Sequence, residues 1–108
     1  MTHVHLIGIG GTGLSAIARV LIEKGYEVSG SDRQASPLFD AVTEAGATTY
    51  VGHIADQVAG ADLVVRSSAV SDDNPEVQYA LAHGIPVLKR SDFLAELTQG
   101  QDVIAVAG

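Results

Sequence analysis

The sequence predicts an α/β domain: a doubly wound sheet, mostly or wholly parallel, with helices on both faces. Three observations carry this expectation. Short apolar segments alternate with helical patterns along the chain, the mark of βαβ units with crossover connections. Segments such as Leu63-Val64-Val65 and 103–107 are apolar without alternation, which fits strands covered on both sides. A turn with four glycines in six positions, Gly8 to Gly13, joins the first strand pattern to the first helical one.

The elements follow in order. Residues 3–8 read as a strand. Residues 12–24 place Leu14, Ile17, Ala18 and Leu21 at helical spacing, and Gly25 stops the run. A second strand is expected over 26–30. Ser36 suits a helix N-cap with Pro37 at the first helical position, and Leu38, Val42 and Ala45 line one face until Gly46. Residues 47–51 and 62–67 read as the third and fourth strands. Asn74-Pro75-Glu76 opens a helix with Val77, Ala80 and Leu81 inward, ended by Gly84. The fifth strand is expected at 86–89. Ser91-Asp92 then caps a short helix whose core side is Phe93, Leu94 and Leu97, and a turn at Gly100-Gln101 leads to a sixth strand at 102–107. The product is a Rossmann-like domain, whose ligands sit outside the carboxyl ends of the strands at the switch in strand order.

Composition narrows the partners. The 108 residues suit one domain, and 6 basic against 13 acidic residues give a formal charge of −7. Such a surface disfavours nucleic acid and anionic membrane. No signal peptide and no apolar run of transmembrane length is visible, and the chain has no cysteine, so a reducing, cytoplasmic setting is expected. With so few cations, binding of a phosphate would fall mainly to backbone amides. His3 and His5 share a strand face without an evident third ligand, so no metal site is expected.

Gly8-Ile9-Gly10-Gly11-Thr12-Gly13 satisfies G-x-G-x-x-G between a strand and a helix. The first glycine permits the tight turn, the second lets backbone approach a pyrophosphate, and the last lets the helix pack closely. The amides at the helix start then hold the anion. Asp32 lies 19 residues beyond Gly13, at a strand end, where an acid meets ribose hydroxyls. NAD, FAD and UDP-sugars all fit this pattern. His53 suits either a base or ribose contact or a plain surface loop. Ser67 and Ser68 suit either a ligand or the loop's own backbone. Asn74 reads as a helix N-cap. Arg66 has a phosphate, Asp72 or Asp73 as alternative partners. No catalytic constellation stands out.

Taken together, residues 5–32, Gly52-His53, Ser67-Ser68-Ala69-Val70 with Asp73-Asn74-Pro75-Glu76, residues 84–97 and the closing 104–108 resemble the Mur ligase family, in its UDP-N-acetylmuramate–L-alanine ligase branch. The related anhydro-muropeptide ligases have a glycine turn less like this one. The resemblance implies an N-terminal UDP-substrate domain over 1–98. Residues 99–108 would then be the interdomain joint and first strand of a central ATPase domain, with Gly108 the first glycine of its P-loop. It implies that ATP activates the lactyl carboxylate of UDP-N-acetylmuramate to an acyl phosphate, which the amine of L-alanine attacks. By matching position, Gly10, Gly11, Thr12 and Gly13 would hold the diphosphate. Ser31, Asp32 and His53 would surround the uridine, and Ser67, Ser68 and Ala69 would border the sugar nucleotide. Arg66 departs from the apolar residue expected there. No catalytic or metal-binding residue is implied in this domain, and ATP and Mg²⁺ would belong to the central and C-terminal domains, so the domain alone is expected to be inactive. An NAD-binding domain of an oxidoreductase and a nucleotide-sensing regulatory module are the rival expectations.

Overall fold

Parallel strands form the centre of the molecule. The computed structural model describes residues 2–93. The elements are β1 (His3–Ile7), α1 (Thr12–Glu23), β2 (Glu27–Asp32), α2 (Pro37–Ala45), β3 (Thr48–Val51), a 3₁₀ turn (Ala55–Val58), β4 (Leu63–Arg66), α3 (Pro75–Ala82) and β5 (Val87–Lys89). The sheet runs β3-β2-β1-β4-β5, with every pairing parallel. The chain builds outward from β1 to β3 and returns to β4 on the other side of β1. The switch in strand order therefore falls between β1 and β4.

Alternate side chains divide between the two faces. On one face Val4, Leu6, Val28, Leu63 and Val65 pack with Leu14, Ile17, Ala18 and Leu21 of α1, Phe39 and Val42 of α2, and Phe93. On the other, Ile7 and Val64 pack with Val58, Val77 and Ala80. That second core is smaller because His3, His5, Ser29 and Ser31 occupy the same face of β1 and β2.

The expected α1 stripe is buried as read. Two helix phases differ from the sequence reading. In α2 the buried residues are Phe39 and Val42, while Leu38 is 41% exposed and Ala45 is also exposed. The adjacent pair Leu38-Phe39 offers two apolar phases, and the larger ring takes the core. In α3, Glu76 joins Val77 and Ala80 inside, and Leu81 is 58% exposed. At about 100° per residue, burying Glu76 turns Leu81 roughly a quarter turn away from the sheet.

The caps at Ser36 and Asn74 form as read: Ser36 accepts from the Phe39 amide at 3.2 Å and Asn74 from the Glu76 amide at 2.9 Å. The crossover to β4 uses the 3₁₀ turn, an element without a periodic signal in the sequence. The last described residues are helical from Arg90, so Ser91 lies inside the helix and not at its cap. Leu94, Leu97, the turn at Gly100-Gln101, the sixth strand and the 99–108 joint lie outside the described residues.

Candidate functional site

A cleft of about 420 Å³ opens at the carboxyl ends of β1, β2, β3 and β4. The glycine turn forms its floor, Asp32 and His53 stand on one side, and the loop from Ser67 to Asn74 forms the other. Gly11, Asp32, His53, Ser67 and Ala69, all singled out from the sequence, line it. Gly8, Arg33, Val70, Ser71 and Asn74 line it too. Gly10, Thr12, Gly13, Ser31 and Ser68 lie outside the lining.

The glycine turn is fixed by backbone bonds. The amides of Gly8 and Ile9 both donate to the Ser31 carbonyl, at 2.8 and 3.0 Å, which ties the turn to β2. Gly8 has φ +94°, and a Cβ there would lie 2.9 Å from Cβ of Ser67. Only glycine suits both constraints. The Gly10 amide donates to Oδ2 of Asp32 at 2.9 Å, and that of Gly11 to the Gly8 carbonyl at 2.9 Å. Gly11, the N-cap of α1, supplies no side-chain cap. The anion-binding capacity of the helix start therefore rests on the first-turn amides from Thr12 onward.

The space a side chain at Gly13 would take is occupied by another residue. A Cβ there would meet Cδ of Arg90 at 2.5 Å and Nε at 2.9 Å, so the missing side chain makes room for an arginine. The turn thus carries a cation beside it, which the sequence reading had not assigned there.

Asp32 accepts from the Gly10 amide through Oδ2 and from the Arg33 amide at 2.7 Å through Oδ1. It braces the glycine turn as well as facing the cleft. Ser67 accepts from the Ala69 amide at 3.2 Å, so its hydroxyl serves the loop's own backbone. Ser68 is exposed. Arg66 pairs with Asp72, whose carboxyl the Arg66 hydrogen bond and charge hold below the usual range.

Ser31 is fully buried beneath His53. Its hydroxyl donates to Oε2 of Glu76 at 2.6 Å, and Nδ1 of His53 lies 2.7 Å from the same oxygen. Glu76 has no exposed surface and also takes His5 Nε2 on Oε1. Burial, the largest influence, pushes its carboxyl up. The hydrogen bonds from His5 and Ser31, electrostatic attraction to the His5 ring and the bond from His53 outweigh burial, and the net shift is downward. Sequence reasoning missed this residue. An acid in the first turn of a helix reads as a complement to the dipole. The available signal was the polar stripe His3, His5, Ser29 and Ser31 on otherwise buried strands, which needs a partner. Among the described residues no group of three or more His, Cys, Asp or Glu side chains could hold a metal ion, and no helix is long and apolar enough to cross a membrane.

Known proteins share this fold and much of this sequence. The family model described as "Mur ligase family, catalytic domain" matches residues 3–102. The UDP-N-acetylmuramate–L-alanine ligase of Laribacter hongkongensis is 51% identical over 106 residues, 98% of this chain and 23% of that protein. The ligase of the same name from Roseiflexus is 49% identical over 106 residues, again 98% and 23%. The chain thus spans about a quarter of the length of these curated relatives. The crystal structure of the UDP-N-acetylmuramate–alanine ligase of Thermotoga maritima superposes with a TM-score of 0.88 at 31% identity, covering 92% of this chain and 23% of that one. A murein peptide ligase from Psychrobacter arcticus gives 0.82 at 28%, covering 89% and 20%. UDP-glucose 4-epimerase from Bifidobacterium longum, at 17% identity and 0.60 over 82% of this chain and 36% of that one, shares the fold alone. The family match spans residues 3–102, nearly the whole chain, and the relatives agree with it: this chain belongs to the Mur ligase family.

Proposed function

We propose that this chain is the N-terminal domain of an ATP-dependent UDP-N-acetylmuramate–L-alanine ligase of peptidoglycan biosynthesis, and that its cleft binds the UDP part of the substrate. The observation that carries this reading is the cleft itself. An uncapped helix start on a glycine turn adjoins a carboxylate and an imidazole at the strand ends. A diphosphate suits the amides from Thr12 onward, with Arg90 beside Gly13 as a nearby cation. Asp32 and His53 suit the nucleoside. Ser67 and Ala69 border the remaining opening, toward which the sugar would extend.

The near-50% identity to proteins named as that ligase supports the substrate assignment. In this reading the enzyme works in the cytoplasm. ATP and Mg²⁺ act in the central and C-terminal domains, which supply the carboxylate activation. This domain contributes binding energy and orientation, holding the lactyl carboxylate where the other domains can reach it, and alone it turns nothing over.

Titration calorimetry with UDP-N-acetylmuramate, UDP and NAD tests the assignment. Binding of both uridine ligands ahead of NAD is expected. Tighter binding of NAD would replace the reading with that of a dinucleotide-binding domain.

A further inference from the structure

The polar groups of the second sheet face form one continuous chain, and the cleft meets only its outer end. Nε2 of His3 lies 2.6 Å from Oγ of Ser29, which lies 2.7 Å from Nδ1 of His5. Nε2 of His5 meets Oε1 of Glu76. On the other side of the carboxylate stand Ser31 and His53, which are 3.0 Å from each other. His53 lies on the wall of the cleft with its side chain 17% exposed.

Donor and acceptor capacity fixes the protons. An ionised carboxylate only accepts. Each of its three partners must therefore donate: His5 through Nε2–H, Ser31 through its hydroxyl and His53 through Nδ1–H. The single proton of Ser31 is committed to Glu76, so its oxygen can only accept from His53. Both oxygens facing Nδ1 of His53 thus call for a proton on that nitrogen. A neutral imidazole with its proton on Nδ1 carries a lone pair on Nε2.

We propose that Glu76 is a positioning residue of the cleft: its buried carboxylate holds the proton of His53 on Nδ1, so that Nε2 meets the ligand as a hydrogen-bond acceptor. This rests on the reading of the cleft as a nucleotide site and adds which kind of ligand group His53 selects. That group is an N–H or O–H donor, which in UDP is the uracil imide or a ribose hydroxyl. Asp32, also an acceptor, stands on the same side, so this wall is built to receive donors while the start of α1 offers its first-turn amides to an anion.

Two measurements on the 108-residue chain test the proposal. Long-range ¹H–¹⁵N imidazole correlations near neutral pH are expected to show His53 with its proton on Nδ1. The Nε2–H form would overturn the proposal. The second measurement uses Glu76→Gln, whose amide has one accepting and one donating end and cannot accept from both rings. Inverting His53 reorients only Ser31, whereas inverting His5 would reverse Ser29 and His3 as well. His53 is therefore expected to change to the Nε2–H form, with UDP affinity falling about 3- to 10-fold. In a His53→Ala background the same substitution should change affinity by less than about twofold, because the two residues act as a unit. Unchanged affinity in the folded variant, or equal losses in both backgrounds, would reduce Glu76 to a structural role and overturn the proposal.

Analogues methylated at uracil N3 or lacking the ribose hydroxyls locate the donor. The analogue that lacks it should bind equally to the His53→Ala variant and the parent, and a full His53 effect on both analogues would overturn the acceptor role. If Glu76→Gln does not fold, the tautomer in the unmodified chain decides alone. If UDP fails to bind the unmodified chain, the nucleotide reading falls while the tautomer measurement still tests the Glu76–His53 coupling.

Discussion

Two glycines three residues apart in the same turn should answer very differently to one added methyl. Gly8 sits at φ +94°, where an L side chain is strained, and its Cβ would approach Cβ of Ser67 to 2.9 Å. The backbone term costs about 1–3 kcal/mol and the overpacking a similar amount, so Gly8→Ala should destabilise the chain by roughly 2–6 kcal/mol. Ser67 cannot retreat cheaply, because its amide is bonded to the Ile7 carbonyl at 3.0 Å. Gly11 sits at φ −72°, an ordinary angle, and its Cβ would find only the Gly8 carbonyl, at 3.3 Å. Gly11→Ala should cost at most about 1 kcal/mol, the loss of a good N-cap residue being offset by lower entropy of the unfolded chain. In thermal melts Gly8→Ala should lose roughly 8–24 °C and Gly11→Ala only a few degrees. Gly11 lines the cleft, so its variant should weaken UDP binding more than uridine binding. A Gly8→Ala melt within a few degrees of the parent, or a Gly11→Ala melt as low as that expected of Gly8→Ala, would refute this account of the turn.

The depressed carboxyl of Glu76 carries a pH signature. Its contribution to stability is present above the ordinary glutamate value and disappears as pH falls through the lower folded value, so urea midpoints should decline across that acidic window, and less steeply in Glu76→Gln. Asn74→Ala removes the acceptor for the Glu76 amide and should cost about 1 kcal/mol by urea unfolding. Asp32→Asn keeps the shape but leaves an amide where the carboxylate accepted two backbone donors. It should lower stability by about 1–2 kcal/mol and weaken UDP and uridine alike in calorimetry.

What the sequence made legible was whatever repeats or stands alone. The α1 stripe, the glycine turn, the caps at Ser36 and Asn74 and the strand ends are short-range patterns that appear in the structure, whereas the expected cap at Ser91 falls inside a helix that already begins at Arg90. Helix phase in α2 was ambiguous because Leu38 and Phe39 are adjacent, and in α3 because a buried acid rotates the helix against its apolar pattern. The 3₁₀ turn escaped because four residues complete barely one turn and show no period. Glu76 escaped for a different reason. Its partners His5, Ser31 and His53 lie far away in sequence, and nothing in a local window ties a first-turn acid to them. Arg90 beside Gly13 is likewise a long-range meeting. The cleft was therefore readable at its rim, residue by residue, but not in the contacts that hold it.

The hydrogen bond between Glu76 and His5 joins residues 71 positions apart. That span makes the cleft a late product of folding. A chain that has formed only β1, α1 and β2 already owns the glycine turn and Asp32, yet His53 lacks its carboxylate partner until β4 is in place and α3 has docked. Closing so long a loop must precede any gain from the contact. A ligand that needs both the turn and the imidazole therefore recognises the finished sheet and ignores its half-built precursors. Its binding energy goes wholly to the complete fold, adding about 2.7 kcal/mol at a hundredfold excess over Kd. The abundance of such a ligand would then bear on how long a chain survives unfolding and proteolysis.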